Sequence, residues 1–282
     1  MTASGDVGTY YDLLTPLLQQ LWGGNFHIGL WPESPPPPDT HTPTDTTADP
    51  TDPLASVVEA GDRLTDLLLR ELDPHPGRNV LDIGCGIGHP ALRLARTTGA
   101  QVTGITISTS QVRVATDHAA RAGLDHLARF QYADATALPF TDHAYNAAWA
   151  VESLLHIPDT HRALTEIHRV LAPGSPFVIS DMILRAPDRA EHAHSSITPL
   201  PELLALLDTT GFRTTRITDL DDHLSRSLHR LRTDLDRHRT HAGQQHDEAI
   251  DALTRILDKT LPGIGTVFGY TVITAHTRRP TD

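Results

Sequence analysis

Leucines 13, 14, 17, 18 and 21 recur at the three- and four-residue spacing of a helix face, and the stretch GGNFHIGLW then breaks that rhythm. The first thirty residues therefore read as a short helix and a loop. Residues 32–53, PESPPPPDTHTPTDTTADPTDP, are almost wholly Pro, Thr and Asp, which bury too little apolar surface to offset their ordering entropy. That segment predicts a linker or exposed loop. From residue 54 helix and strand signals alternate: a helix over about 54–72, strand NVLDI, a helix through PALRLAR to Gly99, strand QVTGITI, and a helix over about 109–122 capped by Ser108 and Thr109. There follow strands near RFQYA and YNAAWAV, a helix over about 159–171, strand PFVISDMI, helix PELLALLD, strand FRTTRIT, a charged helical stretch over about 221–260, and strand VFGYTVITAHT. This alternation predicts an α/β fold, Rossmann-like, with seven strands in a mostly parallel sheet covered by helices on both faces.

Three segments result: a cap of helix and loop (1–31), a Pro/Thr-rich linker (32–53) and a Rossmann-like domain (54–282). Within the last, Leu224, Leu228, Leu231 and Leu235 give residues 221–260 a modest apolar stripe among Arg, Asp and His. A solvated helical face is the plain reading, and a helical lid inserted over a pocket is the sharper one.

Composition narrows the function classes. A chain of 282 residues suits a single core. No apolar run approaches the roughly 18 residues that would cross a bilayer, and MTASGDVGTYYD lacks the basic and apolar regions of a secretory signal, so a cytoplasmic protein is expected. Cys85 is the only cysteine, which rules out an internal disulfide or a cysteine-built zinc cluster. A formal charge of −12 argues against nucleic acid, whose phosphates are bound by clustered Lys and Arg. His192-x-His194 and His238-x-x-His241 lack carboxylates or cysteines at ligand spacing, so no metal is expected.

The densest chemistry lies in NVLDIGCGIGHP, where a strand runs into Asp82 and then Gly84, Gly86 and Gly88 before a helix. Glycines at such a turn let a ligand approach the backbone and tolerate positive φ. A dinucleotide fingerprint spaces them G-x-G-x-x-G, whereas His89 occupies the late position here and the third glycine comes one place early. The next strand ends on Thr106, where nucleotide-binding enzymes place an acid for the ribose hydroxyls. Both features lean away from NAD.

Taken in order, VLDIGCGIGHPALRLA, QVTGITISTSQV, YADATALPF, WAVESLLHIPD and EIHRVLAPGSPFVISDMI resemble the class I S-adenosylmethionine-dependent methyltransferases. The likeness is closer to the bacterial natural-product group typified by the rebeccamycin sugar O-methyltransferase, and it covers about residues 9–31 and 55–184. It implies a seventh strand inserted antiparallel, an N-terminal helical cap and S-adenosylmethionine as cofactor. Gly84, Gly86 and Gly88 would face its amino-acid part, with Asp82 supporting the loop or meeting the amine through water. Ile107 and Ser108 would flank the adenosine, Gln111 would reach the ribose or carboxylate, Asp134 would accept from the adenine amine, and the Ala135 N–H would donate to the ring. Thr106 departs from the family's acid and shifts weight to Gln111. Tyr10, Tyr11, His27 and Trp31 resemble elements that close over the cofactor, although packing explains Trp31 equally. Glu152 joins this set, its residue type serving as well to bind the acceptor or cap a turn. His156 matches a proposed general base and Asp181 its acidic companion, while Leu155 replaces a second histidine common in relatives.

The implied reaction is methylation of a small-molecule acceptor, at oxygen with a histidine base, with N- or C-methylation as the alternatives. Two other classes share features of the chain. A short-chain NAD oxidoreductase would need a Tyr-x-x-x-Lys pair, and the only lysine is Lys259. A non-catalytic cofactor-binding partner would keep the glycine loop alone. The long linker would also let the N-terminal helix swap onto a second copy, giving a homo-oligomer.

Overall fold

The computed structural model describes residues 14–32, 53–186, 197–241 and 247–279, which excludes Tyr10 and Tyr11, nearly all of the Pro/Thr-rich segment, and His192 and His194. Helix α1 covers residues 14–22 and is followed by an extended segment, 23–31, termed here the strap. The remaining order is α2 (Pro53–Leu72), β1 (Asn79–Ile83), α3 (His89–Thr98), β2 (Gln101–Thr106), α4 (Thr109–Arg121), β3 (Ala128–Tyr132) and β4 (Ala147–Val151). Then come a 3-10 turn (Leu154–His156), α5 (Thr160–Val170), β5 (Pro176–Leu184), α6 (Leu200–Thr209), β6 (Phe212–Asp219), α7 (Asp221–His241), α8 (Asp247–Thr260) and β7 (Phe268–Thr277).

One seven-stranded sheet has the order β3-β2-β1-β4-β5-β7-β6. Strands β1 to β5 run parallel, and β7 enters antiparallel between β5 and β6, pairing Pro176 with His276 through Leu184 with Phe268. Successive strands step outward from β1 in one direction and then, from β4, in the other. A crevice opens where the order reverses, beyond the carboxyl ends of β1 and β4. The sheet is the Rossmann-like one expected, including its antiparallel last strand.

Burial explains the strand assignments. Strands β1, β4 and β5 are apolar along nearly their whole length because helices cover both faces, whereas β6 at the edge alternates and stays largely exposed. One core layer packs α5 and α6 on the sheet through Leu164, Ile167 and Leu207, and the other packs α2 and α3 through Leu64, Leu68 and Leu94. Local signals hold too: Ser108 caps α4 by accepting the Gln111 N–H at 3.1 Å, and Gly99 ends α3 at φ 70°.

The charged stretch after β6 departs from expectation. It forms two helices, α7 and α8, and its leucine stripe is not solvated. Leu231 and Leu235 of α7 pack with Ala249, Ile250, Leu253 and Leu257 of α8 and with Leu14, Leu17, Leu18 and Trp22 of α1, a third core beside the sheet. Each buried leucine or isoleucine among them contributes about 1.5–3 kcal/mol by leaving water. The N-terminal helix thus buries its apolar face on its own chain. No described helix is long and apolar enough to cross a membrane.

Candidate active site

A cavity of about 380 Å³ fills the crevice. Its floor is the β1–α3 loop, its sides the ends of β2, β3 and β4, and its roof the strap residues Gly24, Phe26 and His27. Twelve residues singled out from the sequence line it: His27, Asp82, Gly84, Gly86, Thr106, Ile107, Ser108, Gln111, Asp134, Ala135, Glu152 and His156.

The loop is drawn tight because the Gly84 and Cys85 N–H groups both donate to the Ile105 carbonyl at 2.9 Å. Gly86 sits at φ 51° on the cavity wall, and a Cβ there would meet no atom within 4 Å, so a side chain would project into the open space. Gly88 does something else. It does not line the cavity, and a Cβ on it would lie 2.7 Å from the Phe130 ring and 3.0 Å from Ala115. This glycine lets α3 dock against β3 and α4, so packing accounts for it where a cofactor contact was expected.

Asp82 is only 3% exposed, and burial pushes its carboxyl up to about 7, offset in part by the nearby Trp149 indole. That indole N–H has no hydrogen-bond partner, and the wall holds no lysine or arginine among the described residues, so the carboxylate has no cationic partner there. Thr106 donates to Gln111 Oε1 at 2.7 Å and receives the Ser108 N–H at 3.2 Å, so a hydroxyl–amide pair stands where an acid was absent. Asp134 Oδ1 accepts from the Thr136 N–H (2.8 Å) and hydroxyl (2.7 Å), an Asx turn that leaves its other oxygen without a partner among the described residues.

Glu152 occupies φ 48°, a left-handed conformation that costs a non-glycine residue roughly 1–3 kcal/mol. Its Oε1 accepts the Ile28 N–H at 2.8 Å and the Tyr270 hydroxyl at 3.0 Å. Burial raises its carboxyl to about 7 against those two bonds. His27, also buried, is driven down to about 4 and is neutral, held between the Ile28 carbonyl at 2.8 Å and Thr65 Oγ1 at 3.2 Å.

Two expectations move. Asp181, 2% exposed, does not line the cavity; its carboxylate accepts the Leu155 N–H at 3.1 Å and the Met182 N–H at 2.9 Å. It thereby anchors the 3-10 turn that presents His156, through backbone and from behind the cavity wall. Burial, reinforced by the Glu152 charge, holds it well above the usual carboxylate range. Trp31 is likewise absent from the wall: its indole N–H donates to Ser227 Oγ at 2.9 Å and its backbone N–H to His223 Nδ1 at 3.0 Å, both on α7. The strap turns outward after Ile28, and the ring packs on the α1–α7–α8 core. Tyr11 lies outside the described residues.

The sequence reading missed Gly24, Phe26, Pro90, Ser153 and the Ile157–Asp159 rim. None carried a local signal: Ser153, for one, is fixed by tertiary contacts, its hydroxyl donating to the Ile83 carbonyl at 2.6 Å and its Cβ standing 2.4 Å from where a Cβ on Gly84 would lie. Among the described residues the wall holds Asp82, Asp134, Glu152 and Asp159 and no lysine or arginine. Such a wall repels a pyrophosphate and suits a ligand bearing positive charge. The glycine-lined space and the unpaired Asp82 together fit the ammonium-bearing end of S-adenosylmethionine.

Comparison with known proteins agrees. The family model described as "Methyltransferase domain" matches residues 81–179. The chain is 41% identical over 184 residues to "Methyltransferase GfsG" of Streptomyces halstedii, covering 64% of this chain and 59% of that one, so it spans less than two thirds of that relative. It is 34% identical over 228 residues to an "O-methyltransferase" of Pyrenophora dematioidea, covering 78% and 79%. Among solved structures the [4+2]-cyclase SpnF superposes with a TM-score of 0.80 at 32% identity, over 98% of this chain and 96% of that one.

Proposed function

The chain belongs to the class I S-adenosylmethionine-dependent methyltransferases, and we propose that it transfers a methyl group to a hydroxyl of a small secondary metabolite. The observation that carries the reading is the unpaired, buried Asp82 facing a glycine-lined space whose wall has no basic side chain among the described residues. When bound, S-adenosylmethionine supplies an electrophilic methyl carbon on a sulfonium. Asp82 is placed to balance the amine of its amino-acid end, and Gly86 leaves room for that end. The second oxygen of Asp134 would accept from the adenine amine beside the Ala135 N–H, while the Thr106–Gln111 pair would hold the ribose.

Methyl transfer is an in-line displacement, so alignment within the closed cavity supplies much of the rate. His156 takes the proton from the acceptor hydroxyl, held on its turn by Asp181. An acceptor amine would attack unprotonated and need His156 less, which separates O- from N-methylation. Residues 221–260, which form α7 and α8, are proposed as a helical lid on the acceptor side. Calorimetric titration with S-adenosylhomocysteine tests the cofactor reading: binding in the micromolar range is expected, weakened at least about tenfold in Asp134→Ala, since a lost charge-assisted hydrogen bond is worth about 1.5–3 kcal/mol. Absence of binding by the wild type would sink it.

A second reading rests on the 32% identity to a [4+2]-cyclase over nearly the full chain. The same cavity would then fold a polyene substrate, and the product would be isomeric with the substrate where methyl transfer adds one carbon.

A further inference from the structure

Glu152 is bonded both to the strap that roofs the cavity and to β7 in the sheet behind it. Its Oε1 holds the strap through Ile28 and meets the Tyr270 hydroxyl, which lies 3.0 Å from Ser180 Oγ. Its other oxygen has no hydrogen-bond partner among the described residues, and the residue lines the cavity. The strap it secures carries Gly24, Phe26 and His27 into the roof. Beyond Ile28, the Gly29 N–H donates to Ser227 Oγ at 2.9 Å and the Leu30 N–H to the Ala60 carbonyl at 2.8 Å. The strap's other ionisable partners, Asp62 on the Asn25 amide at 3.0 Å, Arg63 on the Leu30 carbonyl at 2.9 Å and His223 on the Trp31 N–H at 3.0 Å, do not line the cavity, whereas Glu152 does. The groups around it offer no compensating charge: Asp181 on β5 repels it, Tyr270 on β7 only donates, and His27 on the strap is neutral.

We propose that Glu152 is a charge-sensing latch, coupling the positive charge of the bound sulfonium to closure of the strap through Ile28, so that the cavity grips the charged cofactor and slackens around its neutral product. The inference rests on the reading of the cavity as the S-adenosylmethionine site. With a cation beside it, the carboxylate stays ionised and the Ile28 bond is charge-assisted, shorter and roughly twice as strong as a neutral one. On transfer the sulfur–methyl bond breaks with its electron pair left on a neutral thioether, the methyl carbon bonds to the acceptor oxygen, and the hydroxyl proton passes to His156. His156 releases its proton to solvent, Glu152, left without its counter-charge, takes one up from solvent, and its hold on the strap weakens as the product leaves. Discrimination between cofactor and product thus sits in a residue that need not touch the acceptor.

The test compares full-length wild type with Glu152→Gln, which keeps the shape and an acceptor oxygen for Ile28 but cannot ionise. Calorimetry with S-adenosylmethionine and with S-adenosylhomocysteine should show the preference between them shifting against the cofactor by at least about fivefold in the variant, with product affinity within about twofold of wild type. An unchanged preference, or equal losses for both ligands, overturns the latch. Hydrogen exchange at the Ile28 and Gly29 amides of the wild type needs no variant. Protection should be greater with sinefungin, whose amine carries a positive charge in the sulfonium's place, than with S-adenosylhomocysteine, and equal protection likewise overturns it. Failure of the wild type to bind any of the three overturns the cofactor reading itself, a different outcome.

Discussion

His156 sits half-buried on the turn that Asp181 holds through the Leu155 N–H, so the proposed base and its proposed positioning residue are separate side chains joined by backbone. A general base contributes about 10²- to 10⁴-fold, so His156→Ala should lower turnover at least about tenfold while S-adenosylhomocysteine affinity stays near wild type. Steady-state kinetics beside calorimetry checks this, and an unchanged rate removes His156 as base. The site was legible wherever a residue's own chemistry dictated its place: glycines where backbone must approach a ligand, Asp134 opening a turn, Ser108 capping a helix. It was illegible where the partner is backbone. Nothing in VISD tells whether the Asp181 carboxylate faces a pocket or two amide hydrogens, because strand periodicity gives the face and not the neighbour.

Among the elements, α3 depends on a contact that its sequence hides. Gly88, at φ 84° against Phe130 and Ala115, joins two penalties at one position. Gly88→Ala should cost about 2–4 kcal/mol, a left-handed residue plus a clash with neighbours that cannot all yield. Chemical denaturation is the measurement, and a loss under about 1 kcal/mol would mean that the helix shifts freely. The α7–α8 pair shows the opposite case. Its density of Arg and Asp suggests a solvated helix, yet Leu231 and Leu235 are buried because α1 arrives from the far end of the sequence to cover them. An apolar stripe too modest to decide its own fate is decided by what packs on it.

For the whole molecule, burial of charge sets a pH dependence. Asp82 and Glu152 ionise near 7 when folded, above their ordinary values of 3.8 and 4.5, so the unfolded chain binds fewer protons and stability falls as pH rises toward and through about 7. His27, lowered to about 4, works in the other direction only below its ordinary 6.5, where acid must charge a buried ring on unfolding. Between about pH 6.5 and 7.5 the acids act alone, and the ligand-free protein should lose thermal stability as pH rises. S-adenosylmethionine offsets that loss, so its thermal shift should grow from about pH 6 to about pH 8. A shift that stays constant or shrinks would show that these carboxylates do not face the ligand.

The sequence by itself determined the seven strands, their order of appearance and the loop after β1, because hydrophobic period and glycine placement are local properties of the chain. It also carried the family likeness, since five motifs in sequence survive without coordinates. Only the tertiary structure decided which residues meet across distance: that the strap rests on Glu152 from 124 positions away, that Trp31 belongs to α7, and that Asp82 faces the cavity without a counter-ion. Such pairings depend on chain reversal and on what burial leaves uncompensated. No local pattern encodes either.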